Sequence, residues 1–372
     1  MTRVYVGMSG GVDSSLAAAL LVEQGYEVTG VYMKNWSQDM PGLRCPWADD
    51  LADAKRVAVQ LGIDFKVFDF EQQYRDKVVQ YMIDEYSLGR TPNPDIMCNQ
   101  EVKFRLFLDT ALADGAEMIA TGHYAVVDHG VPVRSSPPNR VSPANAGDGG
   151  NDLEEQSGHA RLLQAADTLK DQTYFLYRVT GEALNKTLFP LGGYQKAEVR
   201  QMAKSRGLWT ATKKDSMGVC FVGQVGMRDF LGQYVTTNTG DIIEKESGAV
   251  VGQHDGAIFY TLGQRHGLSV GGGLPYYVVG KSMDKNEVYV SRNINDASMW
   301  RNSLELTNIH WINEPAKESE PLRVRLRHRG KLLGASLSGT TLQLVEPERA
   351  AAPGQSAVLY RGSECLGGGI VV

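Results

Sequence analysis

The segment Ser-Gly-Gly-Val-Asp-Ser at residues 9–14 has the residue types and spacing of a phosphate-binding turn. Its glycines let the backbone approach an anion closely, and free amides at the start of the following helix, with the hydroxyls of Ser9, Ser14 and Ser15, donate hydrogen bonds. The segment has neither the Gly-Lys-Ser/Thr of the common P-loop nor a Gly-x-Gly-x-x-Gly pattern. The alternative is an ordinary glycine-rich turn between a strand and a helix.

Two of the four cysteines lie in polar surroundings that favour a reactive thiol. Cys98 follows a stiff Pro-x-Pro segment and is expected just before a helix at residues 100–113, where the helix dipole would stabilise its thiolate. Cys220 follows the small residues Ser216 and Gly218, a flexible context. A small buried hydrophobic role is the commonest alternative for Cys98. Cys45 and Cys365 have no such context and are predicted to be structural.

Short apolar strands alternate with amphipathic helices over the first third of the chain. The predicted strands cover residues 3–8, 27–33, 64–70 and 118–121, and the predicted helices cover residues 16–24, 47–61, 72–86 and 100–113. This alternation predicts an α/β fold with a doubly wound parallel sheet. Ligands of such sheets bind beyond the carboxyl ends of the strands, which is where residues 9–15 fall.

The remainder of the chain changes character twice. Residues 134–158 are almost devoid of apolar side chains and are expected to be a disordered insertion between hairpin strands at 124–127 and 160–164. An αα segment runs to residue 207, and short β-rich runs at 257–261, 276–280 and 288–290 then predict a small β-rich domain before a β-barrel at 304–371. The predicted domains are therefore 1–222, 223–298 and 299–372.

Bulk properties exclude several classes of protein. The chain has 372 residues, of which 42% are hydrophobic and 22% are charged, and its net charge of −5 argues against non-specific coating of nucleic acid. No apolar run is long enough to span a bilayer, and the first strand leaves no room for a signal peptide, so a cytoplasmic location is expected. Without a Cys-x-x-Cys spacing, we expect no protein-made metal site.

Five cationic residues alternate near the C-terminus and could bind phosphates. They are Arg323, Arg325, Arg327, Arg329 and Lys331. On one strand they would all face the same side, and no acidic residue lies among them. Phosphate binding is favoured over the alternative of a solvated strand face.

Six motifs together resemble the tRNA-specific 2-thiouridylases. They are the loop at residues 9–14, Gly-Arg-Thr-Pro-Asn-Pro-Asp-Ile-Met-Cys-Asn at 89–99, Ala-Thr-Gly-His-Tyr at 120–124, Lys-Asp-Gln-Thr-Tyr-Phe-Leu at 170–176, Lys-Asp-Ser-Met-Gly-Val-Cys-Phe-Val-Gly at 214–223 and Tyr-Thr-Leu-Gly-Gln-Arg at 260–265. The loop alone is shared with many ligases that split ATP into AMP and pyrophosphate, and the two cysteine motifs narrow the resemblance. The insertion at 134–158 is the one clear departure.

The resemblance implies an ATP-dependent sulfurtransferase that adenylylates O2 of the wobble uridine of tRNA and then replaces that oxygen with sulfur. It implies ATP, accompanied by Mg²⁺, bound by Gly7, Met8, Ser9, Gly10, Gly11, Val12, Asp13, Ser14, Met33 and Gly122. It implies base and tRNA contacts by Asn93, Pro94, Asp95, Lys170, Asp171, Gln172, Arg327 and His328. Cys220 would carry persulfide sulfur received from a donor protein, a cysteine desulfurase or a sulfur-relay protein, and Cys98 would be its partner nucleophile.

The residue chemistry is consistent with this reaction. A carboxylate such as Asp95 can move the proton at N3 of the base, and a stacked base must be splayed out of its loop to react. Two other classes remain open: an ATP-dependent amidating enzyme with the same loop, which would need no thiols, and a non-catalytic tRNA-binding module. His123, beside a strand end, is interpreted as a structural hydrogen bonder.

Overall fold

The computed structural model describes residues 1–38, 45–130, 159–214, 227–268, 270–271 and 274–372. Its strands are β1 (Arg3–Gly7), β2 (Glu27–Lys34), β3 (Asp64–Asp69), β4 (Met118–Thr121), β5 (Val126–Asp128), β6 (Arg161–Leu163), β7 (Thr187–Leu188), β8 (Gly240–Glu244), β9 (Val250–His254), β10 (Tyr277–Ser282), β11 (Glu287–Ser291), β12 (Trp300–Trp311), β13 (Leu322–Arg325), β14 (Leu333–Ser338), β15 (Thr341–Arg349), β16 (Ser356–Arg361) and β17 (Glu364–Val371). The predicted insertion and Cys220 lie outside the described residues.

The helices lie mostly in the N-terminal half. They are α1 (Val12–Glu23), α2 (Trp47–Leu61), α3 (Glu71–Tyr74), α4 (Gln80–Ser87), α5 (Pro94–Met97), α6 (Phe107–Ala113), α7 (Thr173–Leu176), α8 (Gly181–Asn185), α9 (Lys196–Ser205) and α10 (Met227–Leu231). Two π-helical stretches, Arg75–Val79 and Cys98–Leu106, join α3 to α4 and α5 to α6 without a break. No helix within the described ranges is long and apolar enough to cross a bilayer.

The N-terminal part of the chain forms a five-stranded parallel sheet with the order β3-β2-β1-β4-β7. Successive residues of β1 face opposite sides, so that Tyr5 packs in one apolar cluster with Val31, while Val4 and Val6 pack in the other with Leu16. The chain leaves β1 toward β2 on one side and β4 lies on the other, which makes the β1/β4 boundary a topological switch point. The predicted doubly wound α/β fold is confirmed.

Two β-structures follow this sheet. The central part has a four-stranded sheet of order β10-β11-β8-β9, and the C-terminal strands β12, β15, β14, β13, β16 and β17 close into a barrel through the β12–β17 pairing. The expectation of a β-run at 257–261 is wrong, because Ala257–Phe259 is a 3₁₀ helix. The predicted hairpin is present as β5 and β6, with Asp128 opposite Arg161.

The hairpin also joins the barrel, which the sequence did not indicate. Leu162 and Leu163 of β6 pair antiparallel with Cys365 and Glu364 of β17. The barrel sheet is therefore extended by two strands from the N-terminal half of the chain. This continuous sheet fixes the barrel beside the parallel sheet.

A helix begins earlier than predicted around Cys98. Asn93 caps it, since its side chain accepts a hydrogen bond from the Asp95 amide at 3.1 Å, and Pro94 occupies the first helical position, where its missing N–H costs nothing. Asp95 and Cys98 thus lie within the first two turns, not in a loop before the helix. The Pro-x-Pro segment starts the helix and does not merely stiffen the chain ahead of it.

Candidate nucleotide and RNA site

A cavity of about 460 Å³ lies at the carboxyl ends of β1, β2 and β4. Nine of the ten residues predicted to hold ATP line it, namely Gly7, Met8, Ser9, Gly11, Val12, Asp13, Ser14, Met33 and Gly122. Lys170, Gln172 and His328, which the family resemblance assigns to tRNA contact, line the same cavity. The structure therefore brings the phosphate loop and part of the expected RNA contact set to one place.

Two glycines make the loop geometry possible. Gly10 has a φ of +72°, and a Cβ there would collide with the Asp50 backbone oxygen. A Cβ on Gly122 would lie 2.7 Å from the Ser14 amide nitrogen. Gly10 does not itself line the cavity; it sets the turn that lets its neighbours do so.

The serines of the loop hold it against the start of α1. The Ser14 hydroxyl accepts a hydrogen bond from the Ser9 amide at 3.1 Å and donates to the Gly11 carbonyl at 3.2 Å. The Ser15 hydroxyl donates to that same carbonyl at 2.7 Å. Gly11 is the helix N-cap and has no side chain to satisfy the first-turn amides, which suits an anion at this end.

Asp13 is held by two residues from distant parts of the chain. The Tyr124 hydroxyl donates to its carboxylate at 2.8 Å, and Lys196 Nζ lies 2.7 and 2.8 Å from its two oxygens. Lys196 is mostly buried and lies at the start of α9. Sequence reasoning missed Lys196, and no local signal could have found it, because it lies 183 residues from its partner.

His123 lies in the cavity wall and is buried, with 8% of its surface exposed. Its ring packs between Phe104 and Phe189, with centroid distances of 5.6 and 5.9 Å, and its Nδ1 lies 2.7 Å from the Thr121 hydroxyl. Burial first, and then the charge of Lys103, lowers the pKa of His123 well below its ordinary value. The imidazole is therefore neutral at physiological pH, in accord with a structural hydrogen bonder.

Asp95 and Cys98, in the first two turns of their helix, lie beside the cavity and not in its wall. Cys98 is 2% exposed within the apolar cluster on one face of the parallel sheet. Burial raises the pKa of the nearby Asp95 carboxyl, and the charge of Lys103 partly offsets this effect. Since Lys103 also lines the cavity, it connects Asp95 electrostatically with that space. Asn93 and Pro94 do not line the cavity either.

The remaining cysteines of the described residues differ from each other. Cys365 is buried in the apolar core, and this burial raises the pKa of its thiol. Cys45 is half-buried and lines the cavity. Its location was not foreseen by the interpretation of Cys45 as structural. Within the described part of the chain, no group of three or more His, Cys, Asp or Glu side chains is placed to hold a metal ion.

The expectation of one arginine-lined strand is wrong in its geometry. β13 ends at Arg325, whose side chain is buried, whereas Arg323 is exposed. Arg327 lies beyond the strand and its guanidinium is 2.9 Å from Glu348. Arg329 lies in a turn with a φ of +59° and lines the cavity. The alternation ends because the chain turns, and distant carboxylates pair with two of the arginines.

Asp171 also departs from expectation, because it is only 2% exposed. Its carboxylate is 2.8 Å from Arg325 and accepts hydrogen bonds from the Thr173 hydroxyl at 2.9 and 3.1 Å. It also accepts a bond from the Ala165 amide. A direct contact between this carboxylate and tRNA does not fit such burial.

The charge of the cavity wall favours a polyanion. Among the lining residues that the structure describes, the cationic side chains are Lys103, Lys170, Lys214 and Arg329, and the carboxylates are Asp13 and Asp50. Lys196 already neutralises Asp13, and Lys213 lies 2.8 Å from Asp50. The excess of positive charge and the loop amides together suit a nucleoside triphosphate or an RNA backbone.

Family models match three consecutive parts of the chain. They are described as a tRNA methyl transferase HUP domain at residues 2–224, a tRNA methyl transferase PRC-barrel domain at residues 228–292 and an aminomethyltransferase beta-barrel domain at residues 301–371. A 4-thiouridine synthetase solved with RNA and bound ATP is 17% identical, with a TM-score of 0.37, over 63% of this chain and 50% of that chain.

Full-length relatives are far more similar. The tRNA-specific 2-thiouridylase MnmA of Bacillus cytotoxicus is 43% identical over 377 residues, which cover 100% of this chain and 94% of that protein. The MnmA protein of Bacillus subtilis is 43% identical over 378 residues, with 100% and 95% covered. This identity extends across all three matched domains, and the chain belongs to the tRNA-specific 2-thiouridylase family.

Proposed function

We propose that this protein is a tRNA 2-thiouridylase that activates the wobble uridine with ATP and replaces its C2 oxygen with sulfur. The observation that carries the proposal is the shared cavity, in which the loop at residues 7–14 lies together with Lys170, Gln172 and His328. A phosphate-binding loop and RNA-facing side chains around one space are what transfer of an adenylyl group to a base requires. Cytoplasmic tRNA is the proposed substrate, and Mg²⁺ is proposed to accompany ATP.

In the first step, O2 of the uridine attacks the α-phosphorus of ATP. The O2–P bond forms, the bond between the α-phosphorus and the bridging oxygen breaks, and pyrophosphate leaves. Asp95 is proposed to take the N3 proton, and the raised pKa of its carboxyl makes it a stronger base than an ordinary aspartate. The loop amides and the Ser9 and Ser14 hydroxyls are proposed to bind the phosphates.

In the second step, a persulfide on Cys220 attacks C2, and the C2–O bond breaks with AMP as leaving group. The Cys98 thiolate then attacks the Cys220 sulfur, so that the new sulfur stays on C2 as a thiocarbonyl and a Cys98–Cys220 disulfide forms. A dithiol reductant must restore both thiols. A sulfur-donor protein, such as a cysteine desulfurase, is proposed to recharge Cys220.

Nucleoside mass spectrometry tests the overall reaction. Unmodified tRNA treated with enzyme, ATP and a persulfide source is expected to contain 2-thiouridine, with AMP and pyrophosphate as coproducts. ADP and phosphate as products would contradict the loop assignment. AMP formation that survives thiol alkylation, with ammonia incorporated instead of sulfur, would identify an amidating enzyme.

Labelled sulfur from a cysteine desulfurase tests the two thiol roles. Cys98→Ser is expected to take up the label and Cys220→Ser is not, and neither variant is expected to make 2-thiouridine. Both variants are expected to adenylylate tRNA, because that step needs no thiol. Cys365→Ala is the matched control, and it is expected to retain thiolation because Cys365 packs in the core. Label on Cys98 in the Cys220→Ser protein would exchange the roles.

A further inference from the structure

An ion pair buried between the N-terminal domain and the barrel lies next to the cavity. Arg325 Nη1 is 2.8 Å from Asp171 Oδ2, and their side chains are only 8% and 1% exposed. The Arg325 guanidinium also lies over the Tyr360 ring, at 5.5 Å from its centroid. Asp171 and Arg325 are 154 positions apart in sequence, so this pair connects two separate parts of the fold.

The Asp171 carboxylate organises the turn that contains it. Both of its oxygens accept from the Thr173 hydroxyl, and Oδ1 also accepts from the Ala165 amide at 3.2 Å. The Thr173 hydroxyl lies 3.1 Å from the Tyr360 hydroxyl of the barrel. The Asp171 carboxylate therefore has internal partners on both sides, from its own turn and from the barrel.

The residues on both sides of the pair reach the cavity. Lys170 and Gln172 flank Asp171 and line the cavity. The Gln172 side chain accepts a hydrogen bond from the Tyr124 amide at 2.9 Å. His328 and Arg329, which follow Arg325, line the cavity from the barrel side. The His328 ring packs on Phe175 with a centroid distance of 4.4 Å. The Asp171–Arg325 ion pair therefore connects the two turns, at residues 170–172 and 328–329, that line this part of the cavity.

Charged groups of both turns act on His328. The pKa of His328 is lowered by burial and by the charges of Arg329, Arg325 and Lys170, while Asp171 acts in the opposite direction. Nδ1 of His328 is buried and has no hydrogen-bond partner within the described residues. The two members of the ion pair therefore act on the His328 pKa in opposite directions.

We propose that Arg325 is a positioning residue, which acts through Asp171 to hold the 170–172 turn and the 328–329 turn against each other around bound ATP and RNA. In this proposal the buried Asp171 holds the 170–172 turn in position and does not itself bind RNA. This inference rests on the proposed function of the cavity. It assigns to the barrel a part in building the reaction site, in addition to any part in RNA binding.

Removal of one partner is expected to be far more harmful than removal of both. Arg325→Met leaves a buried carboxylate without its cation, whereas Arg325→Met combined with Asp171→Asn leaves no buried charge and keeps an oxygen that can accept from the amide and the hydroxyl. Arg325→Lys keeps the charge with a shorter, single-point donor. Activity is expected to be lowest for Arg325→Met and then to increase in the order of the double variant, Arg325→Lys and wild type.

The test measures thiolation kinetics and tRNA binding of the full-length protein. Arg325→Met is expected to lower kcat at least about tenfold, with an unchanged slope of log Kd for tRNA against log salt. Arg361→Met is the control, since it breaks a barrel ion pair of 2.8 Å between Arg361 and Glu320, neither of which lines the cavity. It is expected to retain wild-type kcat.

Three results would overturn the inference. A kcat near wild type with a salt slope reduced by about one would make Arg325 a phosphate ligand. A loss of kcat that disappears on cooling, in step with the folded fraction, would make the pair a stability element only. An Asp171→Asn single variant with normal kcat would remove the proposed route. If the wild-type protein itself forms no 2-thiouridine, the proposed function fails, and that result is distinct from all three.

Discussion

The glycine-rich loop at residues 7–14 and the barrel segment at residues 323–331 both carry groups suited to phosphate, but different forces hold them in place. In the loop, Gly10, Gly11 and Ser14 fix the backbone through φ values and hydrogen bonds that span at most five residues. In the barrel segment, Arg325 and Arg327 are held by Asp171 and Glu348. Stereochemistry within a short segment decides the first, and the tertiary fold decides the second.

This difference shows when a pattern of charged residues in a sequence predicts a binding site. An arginine is long and pairs readily with any carboxylate that the fold brings near, so an alternating row of arginines does not specify what it binds. A glycine with a positive φ has few substitutes, and so it specifies one backbone shape. We expect mutations to show the same division, with the largest effects in the loop.

The largest effect is expected for Gly10→Ala. The new Cβ collides with the Asp50 backbone oxygen and forces a residue at φ +72° into strain, so the loop must move. Pyrophosphate release is expected to fall more than about 100-fold, since displacements of about 1 Å cost that much in a positioned reaction. Gly271→Ala is the control, because no atom of the described residues lies within 4 Å of a Cβ added there. Wild-type turnover in Gly10→Ala would show that activity does not depend on the backbone conformation of the loop, and the contrast with the barrel segment would be wrong.

The next largest effect is expected for Asp95→Asn, measured as the pH dependence of tRNA adenylylation. The Asp95 carboxyl has a raised pKa because it is buried, and as a base it must lose its proton. The rate is therefore expected to rise with pH through a range above that of an ordinary aspartate, and stability is expected to fall through the same range because ionisation is disfavoured in the folded state. Asp95→Asn is expected to lose about 100-fold in rate and the acid limb. If the rate of Asp95→Asn still falls at low pH, the group that titrates there is not Asp95.

Lys196→Met sharpens the comparison from within the loop region. Asp13 is the loop residue that depends on distant partners, and the variant removes the Lys196 ammonium but keeps the hydrogen bond from the Tyr124 hydroxyl. A loss of about tenfold in ATP turnover is expected, which is less than for Gly10→Ala because the backbone of the loop is intact. Lys204→Met, on the same helix and exposed, is the control. An effect as large as that of Gly10→Ala would show that the loop is not locally determined.

The smallest effects are expected for Arg323 and Arg329 of the barrel segment. Arg329 lines the cavity and Arg323 is exposed on β13, so each is available to an RNA phosphate, whereas Arg325 is committed to Asp171. Arg329→Gln and Arg323→Gln are each expected to reduce the salt slope of tRNA binding by about one. Equal slopes in both variants and wild type would make these arginines part of a solvated face.

The sequence predicted local structure well where short-range rules decide it. The predicted helix ends at residues 24 and 61 agree closely with the ends of α1 and α2, which Gly25 and Gly62 follow with left-handed φ values of +83° and +66°. The parallel sheet followed from apolar periodicity. The start of the helix at Pro94 was missed because a proline can either break or begin a helix, and the Asn93 cap decides between them.

The parts of the site that could not be predicted depend on long-range partners. Lys196 at Asp13, Arg325 at Asp171 and Arg329 in the cavity wall are placed by the packing of three separate regions. No pattern in a single sequence encodes such pairs, because each residue taken alone is an ordinary surface charge. The motif resemblance supplied Lys170, Gln172 and His328, which local rules would have passed over.

The pairing of β6 with β17 has a consequence for how the protein folds during synthesis. Cys365 contacts the Thr173 carbonyl across 192 residues, and β6 obtains its second neighbour only from the last strand of the chain. Until β17 has been synthesised, the edge of β6 that faces away from β5 is open to other strands. Loss of the last eight residues, which hold much of β17, would therefore leave an N-terminal domain with an exposed, aggregation-prone edge and not merely an enzyme without its barrel.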